Sequence, residues 1–117
     1  MPQSVTAAAS IKVGTGVVNA RFSKAATQSG SENFGGTQSI ATSATALELG
    51  AVSTIGGLFI YNGDSTNYVE IDSANTFDKF PQKILPLRGI LLAPQTTTIY
   101  AKANTAAVEI TVGAYEL

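Results

Sequence analysis

The clearest pattern along the chain is an alternation of apolar and polar residues with a period of two. Near the C-terminus, Val108, Ile110 and Val112 alternate with more polar positions. Successive side chains of a β-strand point to opposite faces, so this pattern predicts a half-buried strand. Residues 97–103 show the same alternation. The turn-forming dipeptide Asn104-Thr105 between the two runs predicts an antiparallel hairpin.

A second hairpin is predicted around the sequence GGLFIYNGDSTNYVEID. Its first run is apolar on both faces, as in a central strand, and in its return run Glu70 and Asp72 are expected to face outward. The connection between the runs is rich in residues that tolerate positive φ or hydrogen-bond to nearby backbone. The residues predicted to form this structural turn are Asn62, Gly63, Asp64, Thr66 and Asn67.

Frequent Gly, Thr and Pro residues interrupt every candidate helix. The prolines in KFPQKILPLRGILLAP favour two short strands joined by a bend near Pro86, and TQSIATSATALELG supplies another strand. Six to eight short strands predict an all-β protein: a single antiparallel β-sandwich of jelly-roll type. Its core is predicted to contain Leu58, Ile60, Val69, Ile71, Ile99, Val108, Ile110 and Val112. Most of the strand aromatics are also expected to pack there, namely Phe59, Tyr61, Tyr68, Tyr100 and Tyr115.

The first part of the chain differs in composition from the rest. Residues 1–36 are small, polar and rich in Gly, Ser and Thr, whereas residues 37–117 carry most of the large apolar side chains. The sandwich is therefore assigned to residues 37–117. Residues 1–36 form either an extended N-terminal arm that orders on a neighbouring subunit or loosely packed first strands of the same body. The candidate partner-binding anchors of this segment are Val5, Ile11, Val13, Val17, Val18, Phe22 and Phe34.

Composition argues against catalysis. The chain of 117 residues has no His, Cys or Trp, so it lacks the commonest general base and the commonest thiol nucleophile. Ser23 and Lys24 are merely adjacent. The pair Glu70 and Asp72 could in principle serve glycoside hydrolysis, but acidic residues on an exposed strand face are usually there for solvation. We expect no catalytic residues and no cofactor.

Binding of metals, nucleic acid and membranes is also disfavoured. Asp64, Ser65, Asn67 and Asp72 could supply oxygen ligands to Ca²⁺, but a turn that satisfies its own backbone is the simpler interpretation, so no metal site is assigned. The pattern Gly14-Thr15-Gly16 is only half of a phosphate loop. The 7 basic residues form no stripe that could neutralise phosphates, and the net charge is −1. The longest apolar run is too short for a membrane span, and no signal peptide is visible, which predicts a soluble protein made in the cytoplasm.

The stretch from about Gly36 to Leu117 resembles small structural proteins of tailed-bacteriophage virions. The resemblance rests on TQSIATSATALELG, GGLFIYNGDSTNYVEI, LPLRGILLAP, IYAKA and the acidic Glu116 near the end. It implies a non-enzymatic virion component made in the host cytoplasm: a capsid cement (decoration) protein, or a minor head, neck or tail protein. Its partners would be the major capsid protein or other virion proteins. A carbohydrate- or receptor-binding module of a phage tail or neck is the alternative.

Self-assembly is expected as well. A chain rich in strand edges and poor in charge tends to hide those edges in symmetric contacts between copies. A homo-oligomer is therefore predicted, with a trimer as the first guess.

Overall fold

The structure, a computed structural model, describes residues 4–13, 18–27, 32–94 and 96–116. Every regular element among these residues is a strand, which confirms the predicted all-β class. The described part of the chain contains no helix long and apolar enough to cross a membrane. In chain order the strands are β1 (Ser4–Val13), β2 (Val18–Thr27), β3 (Asn33–Ile40), β4 (Thr45–Ala46), β5 (Ile55–Asn62), β6 (Val69–Asp72), β7 (Gln82–Ile84), β8 (Gly89–Leu92), β9 (Tyr100–Ala103) and β10 (Val108–Glu116).

All the strands pair in an antiparallel manner. β1 and β2 form a two-stranded sheet whose register runs from Ser4 opposite Thr27 to Val13 opposite Val18. The other strands form two four-stranded sheets. The first sheet has the order β3-β10-β5-β8, and the second sheet has the order β4-β9-β6-β7. Strands β7 and β8 are thus edge strands of different sheets, and only residues 85–88 separate them along the chain.

Both four-stranded sheets contribute to one cluster of buried apolar side chains. All eight residues predicted for the core are buried, so the faces assigned from the alternation are confirmed. The segment between β4 and β5 forms no strand, yet its residues 47–50 alternate between buried and exposed, and it adds Leu47, Leu49 and Val52 to the cluster. Burial of apolar area contributes about 25 cal/mol per Å², so this shared cluster is the main source of stability.

The expectation that most strand aromatics pack in the core is wrong. Among the described residues, the buried apolar side chains are all Ile, Leu, Val or Ala. Phe59 and Tyr61 alternate with the buried Leu58 and Ile60 along β5, and this parity turns their rings away from the core. The outer face of the first sheet therefore carries the rings of Phe59 and Tyr61.

Both predicted hairpins are wrong in their strand pairing. β5 pairs with β10 and β8, whereas β6 pairs with β9 and β7. In the same way, β9 belongs to the second sheet and β10 to the first. Each short connection therefore crosses from one sheet to the other. The alternation specifies the buried face of each strand but not its partner. Two strands that face one core from opposite sides show the same pattern as two paired neighbours.

The two strands predicted on either side of Pro86 are confirmed as β7 and β8. The predicted strand within residues 37–50 is observed only in part. Its beginning belongs to β3, Thr45–Ala46 form the short β4, and no strand covers residues 47–50.

The predicted boundary between residues 36 and 37 falls inside β3. Gly36 lies opposite Val112 of β10, and Gly35 lies opposite Gly113. Phe34, earlier in the same strand, packs against the core. The paired part of the first sheet therefore begins at Asn33.

Candidate interaction surface

The large exposed apolar side chains of the described residues lie on β5 and on the segment that leads from Phe80 to β8. Phe80 is 77% exposed, Leu85 53% and Leu87 52%, and Phe59 and Tyr61 are exposed on β5. Strand β5 pairs with β8, and the segment from Phe80 to Leu87 leads into β8. We call these five residues, together with β8, the apolar edge. Exposed apolar side chains of this size can mark a contact surface.

Strand β8 presents an edge without charged residues. Ile90 and Leu92 pack against the core, while Leu91 lies opposite Phe59 on the outer side. One long side of β8 has no neighbouring strand in the first sheet. Natural sheets commonly protect such edges with charged side chains, and β8, with the sequence GILL, has none. An edge of this kind is suited to being covered by another chain.

The turn between β7 and β8 is held in one conformation by backbone hydrogen bonds. The Leu87 N–H donates to the Asp64 carbonyl at 3.2 Å, and the Asn62 N–H donates to the Arg88 carbonyl at 2.8 Å. Leu87 has a φ of 58°, in the left-handed region that a branched apolar residue rarely adopts. The turn therefore holds an exposed leucine in a costly backbone conformation.

A different loop presents Phe80. Asp72, predicted to face outward, is 4% exposed, because the chain turns at the end of β6 and folds back over its carboxylate. The Asp72 side chain accepts hydrogen bonds from the backbone N–H groups of Ser73 at 2.6 Å, Lys79 at 2.9 Å and Phe80 at 3.2 Å. The outward assignment is wrong because it extended the strand pattern to a residue that caps a loop.

The charge of Asp72 is maintained by these hydrogen bonds. Burial alone would raise the pKa of the Asp72 carboxyl. The backbone N–H groups of Lys79, Phe80, Ser73 and Ala74 outweigh that effect and hold the pKa below its ordinary value of 3.8. An ionised carboxylate thus ties the residue before Pro81 to the end of β6 and fixes the position of Phe80.

A cavity of about 320 Å³ opens beside Phe80. Its apolar lining includes Ile71, Leu92, Pro94 and Ile99. The cavity is lined by residues of both sheets, and two of its lining residues, Phe80 and Leu92, belong to the apolar edge. The apolar edge therefore has a recess as well as protruding side chains. Both features can fit a partner of complementary shape, as in well-packed protein interfaces.

The predicted structural turn lies between β5 and β6. Asn62 is buried, and its Nδ2 donates to the carbonyls of Asn67 at 2.9 Å and Ile84 at 3.0 Å. Its Oδ1 accepts the Asp64 N–H at 2.9 Å, and the Gly63 N–H donates to the Glu109 carbonyl at 3.2 Å. The turn therefore connects β5 with β7 and β10 through hydrogen bonds.

Asp64 closes the same turn. Its Oδ2 accepts the N–H groups of Thr66, at 2.8 Å, and Asn67. These two bonds, the one from Asn67 first, hold the pKa of the Asp64 carboxyl below its ordinary value of 3.8. Asp64 and Asp72, the two carboxylates that could in principle supply calcium ligands, thus bind backbone N–H groups. No group of three or more acidic, His or Cys residues that could hold a metal occurs among the described residues.

The candidate anchors of the N-terminal segment fall into three strands. Val5, Ile11 and Val13 belong to β1, Val18 and Phe22 to β2, and Phe34 to β3, whereas Val17 lies outside the described residues. The register of the β1–β2 pair places Val13 opposite Val18. Of these anchors, Phe34 has a visible role in the fold, since it packs against the core.

The acidic pair Glu70 and Asp72 makes structural contacts. Glu70 forms an ion pair with Lys102 at 3.6 Å across β6 and β9, and Asp72 caps a loop. Ser23 and Lys24 are successive residues of β2. Sequence reasoning missed the apolar edge, although the uncharged run GILLAP in a strand with bend-forming residues on both sides was the signal for it.

Comparison with protein-family models, with curated proteins and with solved structures finds no match to this chain.

Proposed function

We propose that this protein is a non-enzymatic structural component of a tailed-bacteriophage virion, which packs between or on capsid subunits and stabilises the particle as a cement (decoration) protein. The kind of particle follows from the sequence resemblance of residues 36–117. The mode of action rests on the apolar edge, which is the single observation that carries the proposal. The absence of His and Cys from the sequence supports a role without catalytic turnover.

The strand order supports a jelly-roll sandwich as the finer description of the fold. From β3 to β10, the first strand pairs with the last, the second with the next to last, and so on inward to β6 with β7. A single antiparallel ribbon folded over a core produces these pairs and gives two four-stranded sheets. Jelly rolls occur in viral capsid proteins and in lectins, so the fold is compatible with the proposed role without requiring it.

The apolar edge supports a role in assembly because exposed apolar area is stabilising only when another surface covers it. Phe80, Leu85 and Leu87 protrude around an uncharged edge strand. A partner could extend the first sheet by pairing with β8 and place an apolar side chain in the cavity beside Phe80. Contacts of this type gain their energy from burial and strand pairing.

The partner of this edge is the major capsid protein or another virion protein, or a second copy of the chain in a closed ring, for which a trimer is the first guess. The β1–β2 pair belongs to the segment that we assign to an N-terminal arm reaching a neighbouring subunit. The protein would be made in the host cytoplasm and located in the virion.

Leu87→Asn tests the proposal while keeping the fold. Asn adopts the left-handed region more readily than Leu, so the variant should gain roughly 0.5–1 kcal/mol in free energy of unfolding. Its incorporation into particles should fall, because an apolar contact is lost. The measurement pairs a urea denaturation curve with the number of copies per particle.

Phe77→Asn is the matched control. Phe77 also has a positive φ of 54°, but the Lys102 ammonium lies 4.4 Å from the centre of its ring, so it is not part of the apolar edge. Incorporation of this variant should equal that of the unmodified protein. Normal incorporation of Leu87→Asn would show that Leu87 takes no part in assembly.

A further inference from the structure

A polar pocket of about 220 Å³ lies on the second sheet, separate from the apolar edge. It is formed where the chain leaves β3, enters β6 and leaves β9, so its walls come from three different connections. The residues that line it are Thr42, Tyr68, Glu70, Lys102, Ala103 and Asn104. Connections that meet at one end of a rigid pair of sheets are a common location for binding sites.

We propose that this pocket binds one ring of a neutral saccharide. Glu70 and Lys102 face each other at 3.6 Å and balance each other's charge, which leaves no net charge to attract an ionic ligand. A carboxylate accepts hydrogen bonds, an ammonium donates them, and the Asn104 amide and Thr42 hydroxyl do both. A set of this kind matches vicinal hydroxyl groups, each of which also donates and accepts.

The charges around the pocket disfavour ionic ligands of either sign. An anion would have to displace Glu70 from Lys102. A cation would meet the ammonium of Lys102. Lys83 lies against the Tyr68 ring, with its ammonium 4.8 Å from the ring centre, and is not among the residues that line the pocket. The half-buried Tyr68 at the wall supplies an aromatic surface for the C–H groups of a sugar ring.

The pocket is already organised before any ligand binds. The Asn104 N–H donates to the Tyr68 carbonyl at 3.3 Å, and the Thr105 hydroxyl donates to Asn67 Oδ1 at 2.6 Å. Tyr68 directly follows the turn that Asn62 and Asp64 hold together. The turn thus gains a role beyond its own stability, because it fixes one wall of the pocket and lowers the entropic cost of binding.

The test is a titration of the full chain with the methyl glycosides of glucose, galactose, mannose and N-acetylglucosamine at millimolar concentrations, followed by NMR of backbone and side-chain amides. At least one glycoside should shift the resonances of Asn104 and Glu70. Glu70→Gln should weaken its binding about tenfold, since a charged hydrogen-bond acceptor is replaced by a neutral one. The Asn104→Ala variant should weaken it too, and it keeps the test valid if Glu70→Gln unfolds.

Glu109→Gln is the matched control, because Glu109 is an exposed acidic strand residue of the first sheet. It should bind like the unmodified protein. Resonances unaffected by all of these glycosides, shifts confined to other parts of the molecule, or equal losses in Glu70→Gln and Glu109→Gln would each overturn the proposal.

Discussion

At the scale of single residues, polar side chains determine how the connections of this protein are held. Asn62 and Asp72 are the buried polar residues of the described part of the chain. Both bind backbone groups that would otherwise be unsatisfied, Asn62 in the turn before β6 and Asp72 in the loop after it. Each fixes a loop that carries a proposed contact residue, Tyr68 in the first case and Phe80 in the second.

The ionised form of Asp72 should make stability depend on pH. Its pKa is lower in the folded protein than the ordinary value of 3.8, so the stabilisation is fully present above that value and is lost as the pH falls through the folded pKa. The pKa of Asp64 is shifted in the same direction and should add to the effect. Thermal unfolding between neutral pH and about pH 2 should therefore show a falling melting temperature in the acid range.

Asp72→Asn should lower the melting temperature at neutral pH and flatten its decline in acid. Asp78→Asn controls for the loss of one negative charge. An equally steep acid decline in Asp72→Asn would show that this carboxylate does not contribute the pH dependence.

Asn62→Ala should destabilise the fold by about 1–3 kcal/mol, because the carbonyls of Asn67 and Ile84 lose their donor in a buried place. Urea denaturation gives the change in free energy of unfolding. Asn75→Ala, at an exposed position in a loop, should change it by less than about 0.5 kcal/mol. If both variants were equally stable, the hydrogen bonds of Asn62 would not be holding the turn.

At the scale of elements, the alternation in the sequence predicts the strands and their buried faces but not their neighbours. The predicted core positions Val108, Ile110 and Val112 are buried, whereas β9 and β10, predicted to pair, lie in different sheets. The reason is physical: a period of two specifies which face is buried, whereas a short connection can either form a hairpin or cross over the core. The predicted outward orientation of Asp72 is wrong because this residue lies at the end of β6, where the chain leaves the sheet.

The candidate surface was predictable only in part. The strand β8 was expected, but its position at a sheet edge depends on pairings that join distant segments, such as Phe59 with Leu91. The exposure of Leu87 depends on a backbone conformation that the sequence does not specify. The turn from Asn62 to Asn67 was expected, because its residues bind one another and their own backbone.

Removal of residues 1–31 tests the arm. β3 begins at Asn33, so this deletion leaves the pairing of β3 with β10 in place, which a deletion of residues 1–36 would not. We expect the shortened protein to unfold cooperatively in urea and to lose incorporation into particles. A shortened protein that fails to fold would place the β1–β2 pair in the body and contradict the arm.

At the scale of the whole molecule, two sheets that share one core present different surfaces. The side closed by β7 and β8 carries the apolar edge, and the proposed role in assembly rests on it. The second sheet carries the polar pocket between Glu70, Lys102 and the loops. The proposed roles in assembly and in saccharide binding use different surfaces, so each proposal can fail without the other.

The most direct test of the proposed virion role is the composition of particles purified from a phage whose genome carries this sequence. Quantitative mass spectrometry should find the protein at a copy number in fixed proportion to the major capsid protein, and cryo-electron microscopy should show a partner covering Phe80, Leu87 and β8. A chain encoded outside any phage, a protein absent from purified virions, or one bound with the apolar edge open to solvent would contradict the account.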